Sequence, residues 1–425
     1  MFYVSGFDVI IVGAGILGLS TAYHLKVRNP EKRILLMDKE PAAGQGNTSK
    51  SAACFRNSYS SSTNIQLADS SIDFYSYVQN ELGFNLGLKK IGYLFLLSNE
   101  QFRKSKLPKD IEMRILERED LEKYLAVKTD LSGDEEAGVM RLENIEKGIF
   151  CSKAGYLSSE NLVSFYEQEY RRLRGETLYN TRVDKLVLEI DSKIGIYHEP
   201  FLWQEKRIKG VSTNYGDFQA DKVIMAAGTW SNTLLDSLGI DAHVKASTRQ
   251  IFVVRAETEG LNHLMRTKGF SDFNCLPVTF LPTFHFLVKP DIEEENFWIV
   301  YPNHLGIALK LEEDPQPHEN YFNYGLKPVL QQYFPQFEKA RLFNMWAGQR
   351  ECSTIDLLPY VFEEGGAVII NGAHGKGITQ ADSLGRVAAG IYEGDKKVEL
   401  FRGRWFNVAD LGVKERNVER EEFII

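Results

Sequence analysis

The chain has 425 residues, 43% hydrophobic and 25% charged, which suits a globular protein of two domains rather than one core. Its formal net charge of −8 speaks against nucleic acid as the main partner, since a phosphate-binding face needs a basic excess. Nothing reads as a secretory leader or as an apolar run long enough to span a bilayer, so a cytoplasmic protein is expected, with peripheral attachment to the inner membrane face left open.

Asp8–Val12 (DVIIV) is a continuous apolar run and reads as a buried parallel strand. A glycine-rich turn follows, then a helix from about Ile16 to Arg28 that Asn29-Pro30 ends. Ile34–Met37 is the next strand, which completes a βαβ unit. The pattern then predicts an amphipathic helix over Thr63–Leu82, a strand over Ile91–Leu97, a charge-rich surface covering over 100–147 and a helix over Glu160–Arg174. Lys222–Ala227 is a second buried-strand candidate. From Arg249 to about Leu311 the pattern changes to aromatic-rich strands broken by prolines, among them Ile251–Val254, Phe284–Val288 and Phe297–Tyr301. That reads as an antiparallel sheet in a separate domain. Ala367–Ile370 is a late parallel-type strand, followed by a helix from about Gln380 to Tyr392. Cys54, Cys151, Cys275 and Cys352 are scattered without a CxxC, so neither a metal site nor a redox disulfide is expected, and free thiols fit a reducing compartment.

The turn after the first strand is Gly13-Ala14-Gly15-Ile16-Leu17-Gly18. Its glycines have separate tasks: Gly13 makes the tight turn, Gly15 lets backbone approach a pyrophosphate, and Gly18 lets helix pack on strand. The helix N-terminus then presents unpaired N–H groups and a positive dipole to phosphates. Asp38 closes the second strand about 20 residues on, where a carboxylate can accept hydrogen bonds from ribose hydroxyls. With strand, helix and acid all in place, a dinucleotide site is the reading. The motif alone does not separate NAD from FAD.

Three further stretches bear on that choice: Asn47-Thr48-Ser49-Lys50-Ser51-Ala52-Ala53, Val223-Ile224-Met225-Ala226-Ala227-Gly228-Thr229-Trp230, and Gly372-Ala373-His374-Gly375-Lys376-Gly377-Ile378-Thr379-Gln380. Together with the N-terminal motif they resemble the D-amino-acid oxidase superfamily of FAD enzymes, which includes glycine oxidase, sarcosine oxidase and dye-linked L-proline dehydrogenases. The resemblance runs over about residues 7–395. The stretch Ala381–Ala389 looks most like the archaeal dye-linked proline dehydrogenases.

The resemblance implies positions for FAD. Gly13, Ala14, Gly15, Ile16, Leu17 and Gly18 would cradle the pyrophosphate, with Asp38 and its neighbour Lys39 at the adenosine ribose. Thr48, Ser49 and Lys50, with Ser51 and Ala52, would hold the phosphates or the ring edge. Val183 would contact adenine through its backbone. Ala227, Gly228 and Trp230 would pack on the cofactor, and Gly375, Lys376, Gly377, Ile378 and Thr379 would approach the isoalloxazine. Arg350 matches the arginine that holds the substrate carboxylate in glycine oxidase, and Arg56 is similar in position to one in sarcosine oxidase. A guanidinium fork fits a carboxylate in bidentate fashion. His374 is a candidate base, although a turn residue beside the flavin is the preferred reading. Cys352 does not align with the cysteine that attaches FAD in monomeric sarcosine oxidase, so noncovalent FAD is expected. Gly377 stands where that enzyme has a carboxylate-binding lysine, which puts sarcosine itself in doubt.

The fold implied is α/β (α+β overall): a Rossmann-like FAD-binding domain over 1–85, 150–245 and 340–395, an antiparallel-sheet substrate domain over 86–149 and 246–339, and a C-terminal tail over 396–425. The activity implied is oxidation of a small amino acid or secondary amine (proline-, sarcosine- or glycine-like) by hydride transfer to flavin N5. The electron acceptor (oxygen, a quinone, a dye-like carrier or a partner protein) and the oligomeric state stay open. Two alternatives remain. One is an L-2-hydroxy-acid oxidoreductase, which would need His285, His304 or His374 as a base. The other is an FAD-carrying subunit of a larger electron-transfer complex.

Overall fold

The structure is a computed structural model that describes residues 4–282, 287–301 and 308–423. His285, His304 and the start of the expected strand over 284–288 lie outside the described residues.

Strand Val4–Val12 pairs in parallel with Ile34–Met37 on one side and Gly216–Met225 on the other. Its alternating side chains enter two different cores. Val9 and Ile11 pack with the helices on one face, and Ile10 and Val12 pack on the opposite face. That double burial is why the run is apolar without a break. Ala367–Asn371 adds in parallel beyond Gly216–Met225, Tyr360–Glu364 closes that edge antiparallel, and Glu176–Leu178 closes the other. An antiparallel hairpin of Val183–Ile190 and Lys206–Thr213 hangs on Gly216–Met225 and completes eight strands.

Helix Ile16–Arg28 leads directly out of the glycine turn and ends at Asn29, as its sequence signals. It crosses helix Gly377–Glu393 closely, because a Cβ on Gly385 would lie 2.2 Å from Ser20 Oγ. A buried Asp382 ties the two: it is 2.7 Å from His24 Nε2 and accepts from Arg386 Nε at 2.7 Å. Helices Ser62–Asn80 and Ser159–Arg172 begin and end within two residues of the sequence expectation. The last helix starts at Gly377, earlier than the expected Gln380. The left-handed turn at His374 and Gly375 (φ 52° and 80°) delivers the chain straight into the helix, so glycine at the first helical position does not delay it.

The second sheet also has eight strands, in the order Leu342–Ser353, Val244–Arg255, Asn296–Tyr301, Leu287–Asp291, Val278–Phe280, Tyr93–Leu97, Lys147–Cys151, Met113–Glu117. It is antiparallel apart from Val278–Phe280, which runs parallel to Tyr93–Leu97. The aromatic strands bury Phe252, Phe297 and Ile299 against Phe322, Tyr333 and Phe334. The chain is thus α/β around its first sheet, with a second, largely antiparallel sheet.

Two sequence expectations change. Strand Leu342–Ser353, expected with the nucleotide-binding part, is hydrogen-bonded along its length to Val244–Arg255 in the second sheet. The charge-rich stretch 100–147 is not only a covering. It supplies edge strand Met113–Glu117, helix Arg118–Leu125 and the buried Leu116, Leu121 and Leu125. In these short elements only one or two apolar residues are buried, and Met113 and Ile115 stay exposed beside the charges, so no clean period shows. Residues after 395 form the hairpin Lys397–Leu400 with Arg404–Asn407, and their end returns to the cavity described next.

Candidate active site

A cavity of about 880 Å³ runs between the two sheets. It begins at the glycine turn. A Cβ on Gly13 (φ 105°) would lie 2.5 Å from Ala226 O, and one on Gly18 would lie 1.9 Å from Gly13 O. Those two glycines are demanded by the fold. A Cβ on Gly15 would meet nothing nearer than Thr48 Oγ1 at 3.4 Å, and Gly15 lines the cavity. Gly13 and Gly15 both line the cavity, and of the three glycines only Gly15 has room for a Cβ.

Around this end the polar groups are set by backbone donors. Ala14 N donates to Asp38 Oδ2 at 2.6 Å and Glu40 N to Oδ1 at 3.0 Å. Burial raises the Asp38 pKa, and those two amides oppose the rise. A carboxylate offers about four acceptor positions, so two stay available to a ligand. Ile16 N donates to Thr48 Oγ1 at 3.1 Å. Lys39 lies over the Trp230 ring (4.3 Å to its centroid) and pairs with Glu313, to which Trp230 Nε1 donates at 2.8 Å. Ile16, Leu17, Asp38, Lys39, Thr48, Lys50, Ser51, Ala52, Val183, Ala227, Gly228 and Trp230 line the cavity. Ala14, Gly18 and Ser49 do not. Ala14 and Gly18 build the turn, and Ser49 turns its hydroxyl back to Gly46 O at 3.0 Å, inside its own loop.

Gly348 fits the second sheet to this loop: a Cβ there would lie 2.8 Å from Lys50 Cβ. Gln349 N donates to Asn47 Oδ1 at 2.7 Å, and Trp346 Nε1 to Lys50 O at 3.2 Å. This docking carries Arg350 to the far end of the cavity. Gly375 makes room for its stem, since a Cβ on Gly375 would sit 3.0 Å from Arg350 Cδ. Arg350 Nε is buried and has no hydrogen-bond partner among the described residues.

The far end is cationic. Ser247 pairs with Arg350 and Arg249 with Gly348, so the two arginines share one face of the sheet. Burial, then Arg350, pushes Arg249 down to about 9. Lys376 donates to Leu357 O at 2.6 Å and is pushed down to about 7, chiefly by burial. Arg56 donates to Ser58 O at 2.7 Å and lies over the Tyr59 ring, 4.4 Å from its centroid, with Phe95 and Phe423 on its flanks. His374 Nδ1 accepts from Ser353 N at 3.2 Å, and burial followed by Arg350 holds its pKa far below the ordinary imidazole value. Gly375, Lys376, Gly377, Ile378 and Thr379 line the same cavity. The sequence-predicted residues thus come together in one cavity, except the three named above.

Sequence reasoning missed Arg249, Tyr59, Glu351, Glu421 and Phe423, all of which line it. Glu421 returns from the chain's end and accepts from Ser60 N at 2.8 Å, Ser61 N at 3.3 Å and Asn64 Nδ2 at 2.9 Å. These residues stand in no local motif. Only the alternation of Ser247, Arg249 and Ile251 beside the expected strand could have drawn attention to Arg249.

Comparisons with known proteins agree with this geometry. The family model described as FAD dependent oxidoreductase matches residues 8–391. An uncharacterised oxidoreductase of Bacillus subtilis, YurR, is 28% identical over 251 residues, 57% of this chain and 60% of that protein. Monomeric sarcosine oxidase of Bacillus sp. is 26% identical over 241 residues, 55% of this chain and 54% of that protein. The chain thus spans little more than half the length of these two relatives. Among solved structures, L-proline dehydrogenase from P. horikoshii superposes with a TM-score of 0.72 at 17% identity, over 93% of this chain and 96% of that one. Glycine oxidase from Geobacillus kaustophilus gives 0.67 at 19% identity, over 92% and 96%. At such identities the structures share the fold alone. The family model covers most of the chain, and the glycine turn, the acid at the second strand's end and the cavity between the sheets all accord with it: the chain belongs to the family of FAD-dependent oxidoreductases.

Proposed function

We propose that the chain oxidises a small amino acid or secondary amine, proline-, sarcosine- or glycine-like, with FAD held noncovalently in the cavity. The observation that carries this reading is the continuity of one cavity from the glycine turn to the Arg249–Arg350 pair, which sets a carboxylate-binding end next to a dinucleotide end. The residues fit the cofactor: Gly15 lines the cavity with open space around its Cα, the start of helix Ile16–Arg28 borders the cavity at Ile16 and Leu17, and Asp38 keeps acceptor capacity for ribose.

Bound FAD supplies the hydride acceptor for the substrate C–H bond. The chain's own part is to hold and orient. Arg350, with its unpartnered Nε, takes the substrate carboxylate, and Arg249 and Arg56 add to the positive field. His374 positions its turn through Ser353 N and does not serve as a base, since its imidazole is a very weak proton acceptor there. Of the three candidate bases for the hydroxy-acid alternative, His374 is thereby set aside, while His285 and His304 lie outside the described residues. The aromatics Tyr59, Tyr93 and Phe280 dry the far end. Cys352 does not line the cavity. Cys54 does, but burial raises its pKa and disfavours the thiolate that attachment would need. Acid precipitation should therefore release all flavin into the supernatant; yellow colour left in the pellet would overturn the noncovalent reading.

The deciding experiment is the absorption spectrum of the purified protein, recorded anaerobically with and without candidate amino acids. Bleaching by an amino acid supports the proposal. Bleaching by a 2-hydroxy acid alone would replace it, and bleaching by neither would favour an electron-transfer subunit. Among the described residues no helix is long and apolar enough to cross a membrane.

Asp38→Ala should weaken FAD retention by about 1.5–3 kcal/mol, the range for hydrogen bonds to a charged group. Chemistry on the enzyme that stays loaded should change little. Unchanged FAD affinity, measured by fluorescence on dilution, would remove Asp38 from the ribose.

A further inference from the structure

Arg350 and Glu351 are adjacent on strand Leu342–Ser353, so their side chains leave opposite faces. Arg350 turns to the cationic end. Glu351 turns toward the nucleotide-binding part and enters the cavity wall between two of its turns. Its Oε1 accepts from Ala373 N at 3.2 Å, and the amide of Gly372 also faces the carboxyl. Its Oε2 is buried and has no hydrogen-bond partner among the described residues. The nearest heavy atom to a Cβ built on Gly228 is this oxygen, at 3.7 Å. Both Gly228 and Glu351 line the cavity, and no side chain stands between them.

An orphaned carboxyl oxygen in a wall is costly. Its desolvation is not repaid by a protein donor, and an ionised group would bear charge on an atom with nothing to neutralise it. Among the described residues the surrounding elements supply no cation to do so. On the Gly372–Lys376 turn, His374 is neutral, and the Lys376 amine is spent on Leu357 O. Arg249, on the neighbouring strand, shares Arg350's face and not that of Glu351; Lys245, farther along that strand, is exposed. The shift of Glu351 arises from burial, opposed only by the two amides, with no contribution from a charged side chain. Burial keeps the carboxyl protonated up to about neutrality, so below that it has an O–H to give to something in the cavity.

We propose that Glu351 is a cofactor ligand: as a neutral carboxylic acid it donates a hydrogen bond through Oε2 to an oxygen of the FAD chain that passes Gly228. The inference rests on FAD occupying this cavity and adds a contact that the glycine turn and Asp38 do not provide. It also gives cofactor retention a pH dependence of definite sign. The free acid, at about 7, loses its proton as pH rises, whereas the bound one is held protonated by the contact, so binding weakens above neutrality.

The test reads cofactor binding and not turnover. Holoenzyme is diluted at pH 6 and at pH 8.5, and free FAD is measured by its fluorescence. Wild type should lose affinity by on the order of tenfold or more between the two conditions. Glu351→Gln keeps an acceptor for Ala373 N and a permanent N–H donor in the orphan position, so it should bind tightly with a much flatter profile. It retains Lys376, so any dependence due to that amine persists in the variant and is subtracted. Glu351→Leu should bind weakly at both pH values; it also leaves the Ala373 amide without its acceptor, so the melting temperature of its apoprotein is measured beside its FAD affinity. If Glu351→Leu does not fold, the comparison of wild type with Glu351→Gln decides alone. Wild type and Glu351→Gln with the same pH profile would overturn the proposal and leave Glu351 as a brace for the Gly372–Ala373 turn. A wild-type protein that retains no FAD at either pH would overturn it together with the cofactor reading on which it rests.

Discussion

Arg350→Ala is expected to lower kcat/KM for the best amino acid by roughly 30-fold to several thousandfold, corresponding to about 2–5 kcal/mol for a charged, hydrogen-bonded anchor. The loss should appear in KM and also in kcat, because a substrate no longer held by its carboxylate presents its C–H bond poorly. The FAD spectrum should survive. Stability should survive too, since Arg350 lies beside Arg249, whose pKa it depresses, and removing one of two like charges relieves repulsion. Arg350→Lys should rescue only in part, because an ammonium lacks the planar fork. Steady-state kinetics on the three proteins, with a thermal melt of each, checks all of this. Activity equal to wild type in Arg350→Ala would take the residue out of the site. Loss of FAD would move it to the cofactor's surroundings and shift the search for the anchor to Arg56 or Lys376.

The glycine turn gives the second large effect, and its two halves should part company. Gly18→Ala places a Cβ 1.9 Å from Gly13 O, a backbone atom that cannot rotate away. Strand, turn or helix must shift, at a cost of about 3 kcal/mol or more. The apoprotein should melt lower and FAD should be lost with it. Gly15→Ala meets only Thr48 Oγ1 at 3.4 Å, so the apoprotein should melt as wild type does. Its methyl group projects into the space where backbone must approach the pyrophosphate, so FAD affinity should still fall by at least tenfold, about 1.4 kcal/mol. Thermal melts without cofactor, set beside FAD titrations, separate the two. A wild-type FAD affinity in Gly15→Ala would show that the cofactor does not approach this turn.

Much of the nucleotide-binding half was legible because its constraints are local. Val9, Ile10 and Ile11 are apolar in succession since both faces of a parallel strand are covered, and that leaves a mark in five residues of sequence. The glycine turn and Asp38 are fixed by backbone geometry within one βαβ unit, so their spacing alone marks the candidate site. The stretch 100–147 was opaque for the converse reason: Leu116, Leu121 and Leu125 are buried one at a time beneath exposed charges, and no window shows a clean period.

The sequence by itself determined the dinucleotide motif and the alternation of strand types, because each rests on neighbours in the chain, and its family resemblance pointed to two arginines worth testing. Only the tertiary structure decided which groups share the cavity. Arg249 meets Arg350 through a strand pairing between residues about a hundred positions apart, and Glu421 reaches the wall through hydrogen bonds to Ser60, Ser61 and Asn64. The orphaned oxygen of Glu351 exists only because Gly228, Gly372 and Ala373 close around it. Burial and the absence of a partner are properties of the whole packing, and no run of adjacent residues encodes them.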